Sequence, residues 1–279
     1  MASQRTRLLL NLGLLILVAV LVAVVFLRPG TEPSANNLTT LEAGDIDRIR
    51  VESGEQPAVE LARRGEHWFL VEPWEIEASE ARIEDLLEFA STRSFARYDA
   101  GGLDLARFEL DPPRYRVWFD ETLVELGKTN PVNRQRYARV GDTVHLIDDT
   151  RTYLLGATVP SYLGPRLLPR EPAIARLELP GLTLNRDEAG NWQGEPERAA
   201  EELQALASAW GSATALWAKA AELPEGDRPR VTVTLADGTA IPFIVVGTDP
   251  DLVLARPDLG VAYTLPAEEA SRLLPTRTP

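Results

Sequence analysis

The chain carries two histidines, His67 and His145, and no cysteine. Any metal centre would therefore have to rely mainly on carboxylates, whereas zinc and transition-metal sites draw on grouped imidazole or thiolate donors. His67 precedes Trp68 in a polar loop and His145 falls in an apolar run read as a strand, neither with a carboxylate at ligand spacing. Both read as surface or packed histidines. Hard oxygen donors gather at Glu72, Glu75 and Glu77, at Asp148 and Asp149, and at Asp249 and Asp251. None has the Gly and terminal Glu of a calcium-binding loop, so solvated turns are the expectation. Gly127-Lys128-Thr129 looks like the end of a phosphate-binding loop but lacks the earlier Gly that such a loop requires, and no nucleophile elbow occurs. Trp68 and Trp192 could form a ligand platform, but their matching positions after a strand turn suit two core anchors. The remaining candidate is Arg134-Gln135-Arg136-Tyr137, a basic loop suited to a partner or an anionic headgroup. No catalytic residue, metal ligand or cofactor site is assigned.

Composition narrows the functions these residues can serve. The chain has 279 residues, is 44% hydrophobic and has a formal charge of -13. Nucleic-acid binding takes most of its affinity from Lys and Arg neutralising phosphates, so such a partner is not expected. The absence of Cys also excludes disulfides, a thiol nucleophile and an acylated lipoprotein anchor.

From Leu8 to Leu27 the sequence is apolar apart from Asn11 and Gly13. Twenty helical residues at about 1.5 Å each cover the roughly 30 Å hydrocarbon core of a bilayer. Arg5 and Arg7 precede the segment, which predicts a cytoplasmic N-terminus and an exported location for everything after residue 28. The run is too long for a signal-peptide core and exits through Phe26-Leu27-Arg28-Pro29 without a small-x-small site, so a retained single-pass anchor in membrane lipid is expected. Residues 1–28 then form the cytoplasmic tip and membrane helix, and the Pro-, Asn- and Thr-rich residues 29–43 form a linker.

The rest of the chain repeats one order of features, over residues 44–163 and again over 172–274. Ile46 to Val51 and Ile174 to Leu179 open the copies as short alternating strands. A second strand turns back to Trp68 or Trp192, followed by Glu72-Pro73 or Glu195-Pro196. An amphipathic helix comes next, with Ile83, Leu86, Leu87 and Ala90 on one face in the first copy. Leu203, Leu206, Ala207 and Trp210 do the same in the second. Ser79 suits the first N-cap and Pro196 the opening turn of the second helix. A matching stretch from Arg116 to Gly127 or from Arg230 to Gly247, and then a hairpin, close each copy. The unit reads as β-β-α-β-β-β, and the class as α+β with mainly antiparallel sheets.

Trp68 with Pro73 and the helix after it, Leu110-Asp111-Pro112-Pro113, Gly127, Tyr137-Ala138-Arg139 and the Val144 to Ile147 strand together resemble the bacterial DUF 4340 family. Where that family often shows Gly-Leu before the Asp and Pro, this chain has Glu109-Leu110. The resemblance implies a membrane segment followed by a repeated extracytoplasmic domain of undefined activity. It also implies ABC-type transporter subunits as partners, similar to gliding-motility auxiliary components.

Two functions follow as expectations. One is a membrane-anchored binding or scaffold protein serving an ABC-type transport system. The alternative is a cell-envelope hydrolase or carbohydrate-acting enzyme with paired carboxylates between the copies, since a cleft between repeats is a natural site.

Overall fold

The computed structural model describes residues 36–54, 56–222 and 226–274. The anchor expected at Leu8 to Leu27 lies outside them, and no helix among the described residues is long and apolar enough to cross a membrane. The class is α+β, with two mainly antiparallel sheets and few helices.

The first sheet opens with β1 (Arg48–Ser53), β2 (Val59–Arg64), β3 (His67–Glu72) and the two-residue β4 (Ile76–Glu77), a meander of short connections. Helix α1 (Glu80–Ala90) follows and carries the chain to β5 (Ser94–Asp99) at the opposite edge. A second meander then returns through β6 (Tyr115–Phe119), β7 (Thr122–Thr129), β8 (Gln135–Val140) and β9 (Thr143–Asp148). The spatial order is β4-β3-β2-β1-β6-β7-β8-β9-β5. The second sheet uses β10 (Ile174–Leu179), β11 (Leu182–Arg186), β12 (Trp192–Glu195), helix α2 (Ala200–Ser212), β13 (Trp217–Ala220), β14 (Arg230–Leu235), β15 (Ala240–Gly247), β16 (Leu252–Arg256) and β17 (Val261–Leu265). Its order, β12-β11-β10-β14-β15-β16-β17-β13, repeats that of the first sheet once β4 is set aside. A short helix, α3 (Glu269–Leu273), ends the described chain.

Alternation works as expected where one face meets a helix. Ile49 and Val51 in β1, and Leu177 and Leu179 in β10, are buried while their neighbours are not. Ser79 Oγ accepts from Arg82 N and caps α1. That helix buries Ile83, Leu86, Phe89 and Ala90, with Leu87 partly buried. Each larger side chain so removed from water contributes roughly 1.5–3 kcal/mol. Helix α2 buries Leu203, Leu206, Ala207, Ala209 and Trp210, and the Trp210 indole N–H donates to Leu273 O at 2.9 Å.

Three expectations are corrected. The unit contains more strands than β-β-α-β-β-β, because the run after each Trp pairs as β3 or β12 and the run after each helix pairs as β5 or β13. These last two are edge strands with much of their side-chain surface in water, so they lack a clean apolar alternation. Pro196 does not open α2, which begins at Ala200 with Ala199 as its N-cap residue. The linker expected over 29–43 is packed at its described end: Leu38 is 3% exposed, Leu38 N donates to Thr92 O and Thr39 N to Ala90 O.

Residues 164–171, which fall between the two sequence copies, are also structural. Leu167 and Leu168 are buried, Gly164 N donates to Glu77 O, and Leu167 N donates to Ala213 O. This connector bonds to both halves, and one continuous apolar core runs from Leu38 to Leu273. A smaller core is formed by Ala100, Leu110 and Val144 under Leu103, Leu105, Phe108 and Tyr137, where the segment between β5 and β6 packs.

Candidate functional site

The four residues singled out for partner contact divide between inside and outside. Arg134 sits in the turn between β7 and β8 with φ of 59°, exposed beside Val132, which is 90% exposed. Asn130 Oδ1 accepts from Val132 N and Asn133 Oδ1 from Gln135 N, so side chains of the turn organise its own backbone. Gln135 opens β8 and accepts from Asn133 Nδ2 at 2.6 Å. Arg136 turns inward. It donates to Asp149 at 2.6 and 3.2 Å and to Gly127 O at 2.6 Å, with its guanidinium 5.9 Å from the Tyr115 ring. Asp149 also accepts from the hydroxyls of Thr129 and Thr152. Burial pulls the Asp149 carboxyl upward, but the hydrogen bonds from Arg136, Thr129 and Thr152 outweigh it and hold the group below its ordinary value. Tyr137 lies against Phe108, ring centroids 4.5 Å apart. Arg136 and Tyr137 are therefore part of the fold, and Arg134 is left as the exposed cation of the loop tip.

The junction between the halves holds a second polar group. Arg170, from the connector, donates through Nε to Glu77 at 2.8 Å and through Nη2 to Glu80 at 2.5 Å. His67 Nδ1 stands 3.7 Å from Glu80, and Arg166 donates to Gly211 O at the end of α2. These carboxylates share one guanidinium, which makes them an electrostatic tie between the connector and the start of α1. His67, Arg166, Arg170 and Glu171 line the shallow depression above it.

His145 lies far from this group, on β9. It is 4% exposed, and its Nδ1 is 3.0 Å from Ser94 Oγ on β5. Burial, with a smaller contribution from Arg97, pushes its pKa down to about 4, so the ring is neutral in the folded chain at pH 7. Among the described residues no group of three or more His, Asp or Glu is placed to hold a metal ion. Trp68 and Trp192 are 8% and 9% exposed, as core anchors require.

The feature that sequence reasoning missed lies on the strands after the helices. Phe95 and Tyr98 on β5 are 48% and 47% exposed, and Leu216 and Trp217 at the start of β13 are 54% and 53% exposed. Strands β5 and β13 hold the same place in the two sheets, each at the edge and, among the described residues, paired as strands with β9 and β17 alone, with Asn37 bridging to Arg93 just before β5. Large apolar side chains beside an open row of backbone donors and acceptors are what strand addition uses. The available signal was positional: in both copies aromatic residues follow the helix by only a few positions, where a packed element had not been foreseen.

A family model described as a domain of unknown function (DUF4340) matches residues 68–225, from β3 across the connector to the residues beyond β13. No curated protein matches the chain. No solved structure matches it either.

Proposed function

This chain belongs to the DUF4340 family, and from that premise we propose that it is a membrane-anchored extracytoplasmic binding or scaffold protein, an accessory subunit of an ABC-type transport system. In this reading a single helix over Leu8 to Leu27 tethers two repeated α+β units, residues 44–163 and 172–274, on the periplasmic side of the bacterial inner membrane. The observation that carries the reading is the pair of equivalent edge strands, β5 and β13, each presenting large exposed apolar side chains. An apolar edge left open is a hazard for a protein that works alone and an asset for one that works in a complex. The apolar run at the N-terminus and the Arg5 and Arg7 flank support the tether and its direction.

Two measurements test it. Extraction of the full chain from its own membranes in mild detergent should retain transporter ATPase and membrane subunits, and a strictly monomeric chain would refute the accessory role. Protease added to intact spheroplasts should cut the C-terminal region, and full protection would refute the orientation.

A further inference from the structure

The two halves build the same groove, and the two versions differ in a way that the fold does not demand. With Ile83 matched to Leu203, Glu84, Leu87 and Glu88 on α1 and Ser91 just beyond it correspond to Gln204, Ala207, Ser208 and Gly211 on α2. Each set borders a groove that also touches the anchor tryptophan of its half, Trp68 or Trp192. The groove is therefore a property of the repeated unit.

The linings are unlike. The first groove measures about 490 Å³ and the second about 180 Å³. Four carboxylates, Glu66, Glu80, Glu84 and Glu88, rim the first over an apolar floor that includes Trp68 and Leu87, and its lining holds no Lys or Arg. The second has Gln204 and Ser208 in place of Glu84 and Glu88, and Arg186 joins its lining. Helix α2 thus packs on its sheet with neutral residues at these positions, so packing does not require the carboxylates. Helix chemistry disfavours them too: Glu80, Glu84 and Glu88 follow one another at i, i+4, where like charges repel, and Glu88 lies in the last turn, at the negative end of the helix dipole. Arg151 pairs with Glu88 and Arg170 with Glu80, but Glu66 and Glu84 have no ion pair among the described residues.

The groove lies on the flank of α1 that no other described element covers. The opposite flank is occupied, with the Arg82 guanidinium 5.7 Å from the Tyr162 ring. Ala43 contributes to the groove's far wall. The described chain enters at Asn37, bridged to Arg93 beside β5, and β5 stands at the other end of the sheet order from β3 and its Trp68.

We propose that this groove takes up a basic amphipathic helix of a partner protein, laid alongside α1 with apolar side chains over Trp68 and Leu87 and with lysine or arginine at i, i+4 facing Glu84 and Glu88. This deepens the binding role proposed above and rests on it. Side chains one helical turn apart stand about 5–6 Å from each other on both helices, so two cations meet two carboxylates in register. The apolar floor supplies contact area, and the charges choose the partner.

The test uses the full chain in micelles of an uncharged detergent and a capped, fluorescent peptide of leucine and lysine, about fourteen residues long with lysines at i, i+4, read by anisotropy against empty micelles. The expected result is saturable binding that weakens about tenfold when Glu84→Gln and Glu88→Ser give the first helix the residues of the second. A peptide of leucine and glutamate should not bind the natural chain but should bind one carrying Glu84→Lys and Glu88→Lys. Zero-length carbodiimide coupling should join peptide lysines to Glu84 or Glu88. No saturable binding, binding indifferent to the Glu84→Gln and Glu88→Ser pair, or coupling confined to other carboxylates would overturn the proposal. So would sedimentation showing that a second copy of the chain fills the groove and leaves it when the same pair is introduced. Co-purification separates this from the wider reading: transporter subunits that stay bound to the Glu84→Gln and Glu88→Ser chain leave the accessory role standing and remove the groove from it.

Discussion

Gly127 and Gly247 occupy equivalent places in the two copies, each beside a register shift in its strand pairing, yet alanine at the two positions should have opposite effects. A Cβ on Gly127 would lie 2.1 Å from Phe108 O and 3.1 Å from both Glu109 O and Leu110 Cγ. Carbon–oxygen contacts settle near about 3.3 Å, so the Phe108 to Leu110 segment would have to retreat by about 1.2 Å. β7 is held on the other side of the clash, because the adjoining Leu126 is paired to both β6 and β8 and Gly127 O accepts from Arg136 Nη1 at 2.6 Å. Leu110 is 1% exposed and belongs to the small core with Ala100 and Val144, so its displacement disrupts packing as well as backbone. Overpacking of this kind costs typically 1–3 kcal/mol, and the backbone clash puts Gly127→Ala at the upper end, about 3 kcal/mol. For a chain of this size that is a fall in Tm of roughly 6–12 °C. Gly247 has nothing within 4 Å of the corresponding Cβ and is not among the glycines with positive φ. Gly247→Ala should therefore be neutral or stabilise by up to about 1 kcal/mol through the unfolded chain. Parallel thermal and urea denaturation of the two variants reads the difference directly. Equal effects would refute the claim that the segment between β5 and β6 is what requires glycine in the first copy.

Acidification should loosen the β5 edge, because the buried His145 resists protonation until about pH 4 while an unfolded His accepts a proton near 6.5. Its contribution is whole above pH 6.5 and is lost as pH falls towards 4, by at most about 3 kcal/mol; His145→Gln should flatten the stability profile in that window, and an unchanged profile would rule the histidine out as its source. Arg136→Ala should destabilise by roughly 2–4 kcal/mol, since it strands Asp149, whereas Arg134→Ala should stay within about 0.5 kcal/mol. Urea midpoints check both, and equal losses would show that the inward and outward arginines are not distinct. At the junction, a double-mutant cycle of Arg170→Ala with Glu77→Gln should give a coupling near 1 kcal/mol, given that Arg170 is partly exposed. A coupling of zero would mean the connector is held by its leucines and backbone bonds alone.

Much of the architecture was legible because it rests on period and repetition. The helix faces at Ile83, Leu86 and Ala90 and at Leu203, Leu206 and Trp210 follow the 3.6-residue period, and both sets are buried. Trp68 and Trp192 were legible as anchors since two copies of one core need the same large residue. The losses have local causes. β5 reads S-F-A-R-Y-D, and an edge strand half in water need not alternate, so no period announces it. Leu167 and Leu168 lie in a short Pro- and Arg-containing stretch whose burial depends on two sheets being brought together, which no window of sequence reports. Arg136 was grouped with Arg134 because charge is visible in sequence and the side of a strand beyond a turn is not: Asp149, its partner, lies 13 positions away.

The shared strand order has a consequence for how the chain reaches its native state. In each half the two meanders meet only at one central seam, where Val51 lies beside Val117 and Leu177 beside Val233, 66 and 56 residues apart. Closing such a distance is slow compared with forming a hairpin. While both seams stand open, each half exposes a central strand whose proper neighbour closely resembles the neighbour belonging to its twin. The characteristic error of this molecule is then an exchange, with β10 zipped to β6 or β1 to β14, giving a chimeric sheet or, between two molecules, a swapped pair. Growth of the chain from its N-terminus works against this mistake, since the first seam can shut before the rival strands have been made.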